Sequence, residues 1–406
     1  MSDRLDWVRF QQVFGCGSTR GRKVLDHFGS PGAFLAQRPG EMARLGLNQR
    51  ELERLGTVGS EEAAQKILDR CRALGCKALI PEDPGYPQRL REIYNYPAVL
   101  YLQGDLDGLD QKLAIAMVGT RNCTDYGRRA ARAIAEGLAE KGAVIVSGLA
   151  RGIDTVSHEA TLRAGGRTVA VLGCGVDIVY PPENARLEKQ ILRHGGAVVS
   201  EYPPGTRPLP RHFPIRNRVI SGLSNGVVVV EGTRRSGSLI TASHAFTQSR
   251  EVFAVPGDIF SKTSEGPNYL LRQSAKAVDG LESILEEFQF LIQWVPAEGT
   301  EEKTLFEESE QKGYNGGQRP LGESPRPERR PGPELKLDPE PAQLALPAYL
   351  TETQQKIYAV LGSGEVFTAD LIAAQSGLPL PAVLADLTRM EIFGLVRIHP
   401  GRRFSL

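Results

Sequence analysis

Several short stretches of the sequence carry side chains suited to holding an anion. Gly119-Thr120-Arg121 follows one apolar run, and Ser147-Gly148-Leu149-Ala150-Arg151 follows the next. Gly232-Thr233-Arg234-Arg235-Ser236-Gly237-Ser238 follows a later one. Glycine lets backbone amides approach a ligand closely, and successive amides form an anion-binding nest. The Thr and Ser hydroxyls add donors, and arginine meets phosphate oxygens with a planar fork of N–H groups. A further run, "RHFPIRNR" over 211–218, sets Phe213 among Arg211, Arg216 and Arg218 beside Asn217. An aromatic ring among arginines suits a base stacked on the ring with its phosphate held alongside. The competing reading has Phe213 packed inward beneath proline and Asn217 capping a helix that starts at Arg218.

Other chemistries fit less well. A dinucleotide-binding turn reads G-x-G-x-x-G, but Arg121 and Thr124 stand at its second and third glycines. No P-loop G-x-x-x-x-G-K-[ST] occurs. "DTVSHEATL" puts Asp154 and His158 on one helix face without the second histidine of a zinc helix, so capping and core roles are expected for them. Neither a catalytic nucleophile with its base nor a metal or cofactor site is expected.

The elements that must position these loops are legible. The runs "LAIAMV", "AVIVS", "TVAVL", "AVVSE", "VVVVE" and "VFAV" alternate with helix-length segments from Leu113 to about Val278. Apolar strands alternating with helices predict a mainly parallel, Rossmann-like α/β sheet covered on both faces. Ligands of such sheets bind beyond the carboxyl ends of the strands, where all of these loops fall. Residues 1–77 read as a helical domain of the helix-hairpin-helix or SAM-like kind, with Arg20, Arg22 and Lys23 its best candidates for DNA contact. Residues 78–288 form the sheet domain with its proline-rich lead-in. Residues 289–347 read as a linker in which eight of the chain's 27 prolines fall between Pro320 and Pro347. Residues 348–406 give helix, helix–turn–helix and hairpin in the order of a winged helix. Its second helix offers only Arg389 as a base-reading cation, which favours a protein contact at least equally.

At 406 residues the chain is too long for one ordinary core, and 41% apolar with 24% charged residues is a soluble composition. The net charge of +1 hides an uneven distribution, because residues 110–225 carry 16 basic and 10 acidic side chains, most of the bases arginine. Five scattered cysteines, an opening "MSDRLDWVRFQQVF" without an apolar core, and no apolar run of ~20 residues predict a cytoplasmic protein with reduced thiols and no membrane partner.

Seven stretches fall in order: "VGTRNCTDYG", "SGLARGIDTVSHEATL", "VLGCGVDIVYPPEN", "SEYPPGTRP", "HFPIRNRVISGLS", "VVEGTRRSGSLITASHA" and "VFAVPGD". Together they resemble the DNA-processing protein A (DprA/Smf) family over about Leu113–Gly280. That resemblance implies a homodimeric protein that binds single-stranded DNA, protects incoming strands in natural transformation, and helps load a RecA-type recombinase. It implies DNA contacts at Arg121 and at Phe213, Arg216, Asn217 and Arg218, with Arg211 as a neighbour. With the glycine loops, the candidate site comprises Gly119, Thr120, Arg121, Ser147, Gly148, Arg151, Arg211, Phe213, Arg216, Asn217, Arg218, Gly232, Ser236, Gly237 and Ser238. "GPNYLLRQSAKAV" departs from the family pattern by placing Ser274 where a glycine is usual before Ala275. The alternative is an enzyme of the related nucleotide-processing phosphoribohydrolases, with Glu231 as its acid–base group, although Arg234-Arg235 replace that family's acidic residues.

Overall fold

A computed structural model describes residues 4–37, 47–289, 350–362, 367–392, 395–399 and 403–406. The chain divides into two compact units, 1–305 and 306–406. The second contains the helices Glu352–Leu361, Ala369–Ser376 and Leu380–Ile392 and a three-stranded antiparallel sheet of Phe367–Thr368, Arg403–Ser405 and Arg397–His399. That is the winged-helix order the sequence predicts. The expected linker falls almost wholly outside the described residues, and so do the side-chain contacts of Arg389.

The first unit opens with the helices α1 (Arg4–Phe14), α2 (Thr19–Phe28), α3 (Pro31–Leu35), α4 (Gln49–Gly56) and α5 (Glu61–Ala73). The strands β1 (Lys77–Leu79) and β2 (Leu100–Gly104) then form the antiparallel margin of a nine-stranded sheet. From β3 (Ala114–Val118) strand and helix alternate: α6 (Asp125–Glu140), β4 (Val144–Ser147), α7 (Ile153–Arg163), β5 (Thr168–Leu172), α8 (Ala185–Arg193) and β6 (Ala197–Ser200). The second half runs through α9 (His212–Gly222), β7 (Gly226–Val229), α10 (Gly237–Thr247), β8 (Glu251–Ala254), α11 (Glu265–Leu271) and β9 (Lys276–Ala277). Every residue of β3, β4, β5, β6 and β7 is buried, the pattern of parallel strands covered on both faces.

The sheet order is β1-β2-β6-β5-β4-β3-β7-β8-β9, parallel from β6 to β9. Chain order runs outward from β3 to β6 and then returns to β7 on the other side of β3. That reversal places the topological switch point between β3 and β7, whose last residues Val118 and Val229 are paired.

The sequence divides the N-terminal helices from the sheet at residue 77, whereas the structure joins them. Trp7, Val8, Ala64 and Cys71 share one buried cluster with Tyr101, Ala170, Leu172 and Val198 of the sheet. The apolar contact of the helices is thus continuous with the core of the sheet. Arg20 is paired with Glu51 through Nε and Nη2, both at 2.8 Å. Arg22 is paired with Asp26 and lies over the Tyr96 ring at 4.9 Å, so these two candidates are engaged within the helical region. Ser274 adopts φ 70, the left-handed region where glycine is free of the Cβ penalty, which explains why glycine is the expected residue there.

Candidate nucleic-acid interface

A cleft of about 540 Å³ opens at the switch point. One wall is the β3 turn, Gly119-Thr120-Arg121, and the opposite wall is the β7 loop and the start of α10, Thr233 and Ser236-Gly237-Ser238. Its floor is the first half of α9, with Phe213, Arg216 and Asn217, and Tyr180 stands at its edge.

The β3 turn is shaped by close packing. A Cβ on Gly119 would overlap the Ile153 side chain, so only glycine lets the turn lie against α7. Thr120 N–H donates to the Glu231 carbonyl at 2.8 Å, which ties the two cleft walls together. Arg121 then projects outward, exposed, with its guanidinium carbon 5.6 Å from the Phe213 ring centre. Arg216 approaches the same ring at 5.9 Å, and Tyr180 adds a second ring 5.5 Å from Phe213, inclined by 36°. The cleft thus presents two aromatic faces flanked by two cations, which suits base stacking with phosphate alongside.

Arg216 is buried and braced from behind. Its Nη1 donates to the carbonyls of Gly148 (2.7 Å) and Val171, and its Nε donates to Asn217 Oδ1 at 3.2 Å. Burial pulls this guanidinium below its ordinary value, partly opposed by Asp154. Asp154 accepts from the Gly148 and Ala150 amides at 3.1 and 3.2 Å, and burial raises its pKa against the pull of Arg216. Asn217 completes the brace by donating from Nδ2 to the Gly237 carbonyl at 3.0 Å, which fixes α9 against the start of α10. There the Ser236 hydroxyl lies 2.8 Å from that of Ser238, and the helix N-terminus offers amides and partial positive charge to an anion.

The remaining candidates fall outside the cleft lining. Ser147 is fully buried and its hydroxyl donates to the Met117 carbonyl at 2.6 Å, which makes it part of the sheet. Gly148 packs under Arg216, where a Cβ would overlap the guanidinium. Arg151 is exposed but paired with Glu183, and Arg211 stands exposed at the start of α9. Gly232 lies beneath the Ser236 and Ser238 side chains. Arg218 corrects the expected set: it is 2% exposed, and its Nη2 meets both oxygens of Glu201 at 2.6 Å on the side away from the cleft. The alternative for Asn217 is corrected as well. The helix begins at His212, so Asn217 lies inside it, because Pro214 in the first turn removes only an amide that has no helical partner.

Tyr180, Thr233, Asp154 and Thr241 also line the cleft and lie outside the candidate set. Tyr180 follows the Gly173-Cys174-Gly175 loop by a few residues, within the stretch "VLGCGVDIVYPPEN". His158 is fully buried, with Nδ1 2.7 Å from the Thr168 hydroxyl, and burial beside Arg216 drops its pKa to about 3. Glu231 is 2% exposed and accepts from the Thr124 amide and hydroxyl at 2.9 and 2.6 Å. Thr263 adds a third bond to that carboxylate at 3.2 Å. It is a structural clasp on the start of α6 and is absent from the cleft lining, where an acid–base group would have to stand.

Among the described residues, no cluster of His, Cys, Asp or Glu is arranged to hold a metal, and no helix is long and apolar enough to cross a membrane. The mainly parallel sheet with its switch-point cleft, covered by helices on both faces, defines a Rossmann-like α/β protein. Residues 77–289 match the family model described as DNA recombination-mediator protein A, and residues 338–402 match the DprA winged helix domain. The chain is 39% identical to Protein Smf of Escherichia coli over 324 residues, covering 80% of this chain and 76% of that one. It is 46% identical to DNA processing protein DprA of Bacillus subtilis over 222 residues, 55% of this chain and 74% of the relative. The solved structure of DNA processing protein A from Streptococcus pneumoniae superposes with a TM-score of 0.62 at 35% identity, covering 71% of this chain and 99% of that one. The chain therefore belongs to the DNA recombination-mediator protein A family.

Proposed function

We propose that the chain binds single-stranded DNA through the switch-point cleft and acts as a recombination mediator without catalysis of its own. The observation that carries this reading is the placement of the Arg121 and Arg216 guanidiniums 5.6 and 5.9 Å from the Phe213 ring centre, in one cleft with the α10 N-terminus. A duplex holds its bases in the stack and cannot offer them to Phe213 and Tyr180, whereas a single strand can. Every base has a π-face, so binding is largely indifferent to sequence. In this reading two subunits pair around Tyr269–Leu285, align their clefts along one strand in the cytoplasm, protect it during uptake, and leave stretches on which a RecA-type recombinase nucleates.

The test is fluorescence anisotropy with a labelled oligo-dT of roughly 30 nucleotides and the matching duplex, over a salt series. Wild type should prefer the single strand. A folded Arg121→Ala variant should bind it about tenfold more weakly, with the log–log salt slope smaller by ~0.7 for one lost phosphate contact. Equal binding by the two proteins would place the DNA elsewhere. Release of free base from a mononucleotide would instead favour the nucleotide-processing reading.

A further inference from the structure

Two apolar side chains stand out of the loop that follows β8. Phe260 is 89% exposed and Ile259 is 80% exposed, well beyond any other large apolar residue among those described. Such exposure costs solubility and normally collapses unless the backbone is held. Here it is held. Phe260 N–H donates to Asp258 Oδ1 at 2.8 Å, and Ser261 N–H donates to the Asp258 carbonyl at 3.0 Å, which closes the turn. Asn268 grips Gly257 at both its amide (3.2 Å) and its carbonyl (2.9 Å). Tyr126 donates to the Pro256 carbonyl at 2.6 Å.

The same loop is stitched to the cleft wall. Gly232 N–H donates to the Thr263 carbonyl at 2.6 Å, and Gly266 N–H donates to the Gly232 carbonyl at 2.7 Å. The turn therefore stands on the edge where the strands end, one strand outward from β7. Lys262 follows the turn directly and Arg234 and Arg235 follow the stitched Gly232, all three exposed, with Arg234 held 4.3 Å over the Tyr269 ring. The acids of the same loop are Asp258 and Glu265, and Asp258 is occupied by the turn itself. A cleft of about 540 Å³ holds only a nucleotide or two, so a longer strand extends beyond it, and this rim adjoins its Thr233 wall.

Resting on the cleft reading, we propose that Phe260, backed by Ile259, is a second base-stacking post for a strand leaving the cleft past Thr233 and Arg234. The rigid turn presents the ring, and Arg234, Arg235 and Lys262 supply cations for the backbone between the two posts. A polyanion with exposed bases satisfies both features of the patch, while a purely apolar partner would leave the three cations unmatched.

The experiment compares oligo-dT of roughly 4 and roughly 20 nucleotides binding to wild type, Phe260→Ala, Phe260→Trp and Arg121→Ala, with light scattering on each protein. Phe260→Ala should weaken the long strand about five- to a hundredfold, the range for losing one stacked base, and leave the short strand unchanged. Phe260→Trp should retain affinity, and the long strand alone should quench its added fluorescence. Unchanged long-strand binding by Phe260→Ala would overturn the proposal. So would a loss that tracks loss of self-association, since the occupant would then be a second copy. Full short-strand affinity in Arg121→Ala would fail the cleft reading itself, a result separable from either of these.

Discussion

Arg216 and Arg218 stand two residues apart on α9 and have opposite fates. Arg216 turns toward the cleft, where two backbone carbonyls and Asn217 position it against the Phe213 ring. Arg218 turns away and is consumed by Glu201 in a buried ion pair, with Nε and Nη1 lacking partners. Each guanidinium also rests on a glycine. Gly148 lies against Arg216, and Gly17, at φ 69, lies against Arg218, where a Cβ would come within 3.2 Å of Nε and 2.7 Å of Ile215 Cγ2. Gly17 N–H further donates to Glu201 Oε1 at 3.0 Å. The front of α9 thus lines the cleft, and its back fastens the N-terminal helices to the sheet. A count of arginines in a short run does not reveal how many of them are available for binding.

The comparison breaks most sharply at the back. Arg218→Ala strands the Glu201 carboxylate in the core and should cost about 3–5 kcal/mol, read as a lowered urea midpoint. A loss of DNA affinity with normal stability would mean that Arg218 faces the strand after all. At the front, Phe213→Ala should weaken single-stranded DNA by about 1–3 kcal/mol while thermal stability falls far less than in Arg218→Ala.

Acid should act through the core beside Arg216. His158 has its pKa lowered from 6.5 to about 3, so the folded protein keeps it neutral while the unfolded chain takes up a proton. Its contribution is complete above about pH 6.5 and is lost as pH falls toward 3. Between pH 7 and 5 this one group should remove about 2 kcal/mol, and a folded His158→Gln variant should show a correspondingly flatter stability profile. A wild-type profile without that slope would mean the histidine is solvated. The smallest effect sharpens the comparison most. Replacing both partners of the buried pair, Arg218→Met with Glu201→Leu, should leave stability within about 1–2 kcal/mol of wild type and DNA affinity unchanged.

Much of this was legible in the sequence because it is local. The apolar runs, the glycine turns after them and the chain order of motifs determine the parallel sheet and place Gly119–Arg121 and Ser236–Ser238 on one edge. Phe213 was legible for the same reason, as a ring among cations. What was not legible depends on distant partners. Arg218 finds Glu201 17 residues earlier and abuts Gly17 about two hundred residues earlier, so no local pattern separates it from Arg216. The N-terminal helices have the amphipathic spacing of a free bundle, and only the burial of Trp7 and Cys71 against Tyr101 and Ala170 shows that they share the sheet's core. A helix starting at Arg218 with Asn217 as its cap is the competing reading, yet the helix begins at His212, because proline is at ease in a first helical turn. Tyr180 comes from the loop after a different strand, and only the folded chain brings it to Phe213.

The most direct measurement of where the strand lies is photo-crosslinking of oligo-dT carrying 5-bromodeoxyuridine, followed by mass spectrometry of the adducts. The account predicts adducts on Phe213 and Tyr180 at the switch-point cleft, competed away by unlabelled single strand and not by duplex. Adducts confined to residues 4–73 or 350–406 would contradict it.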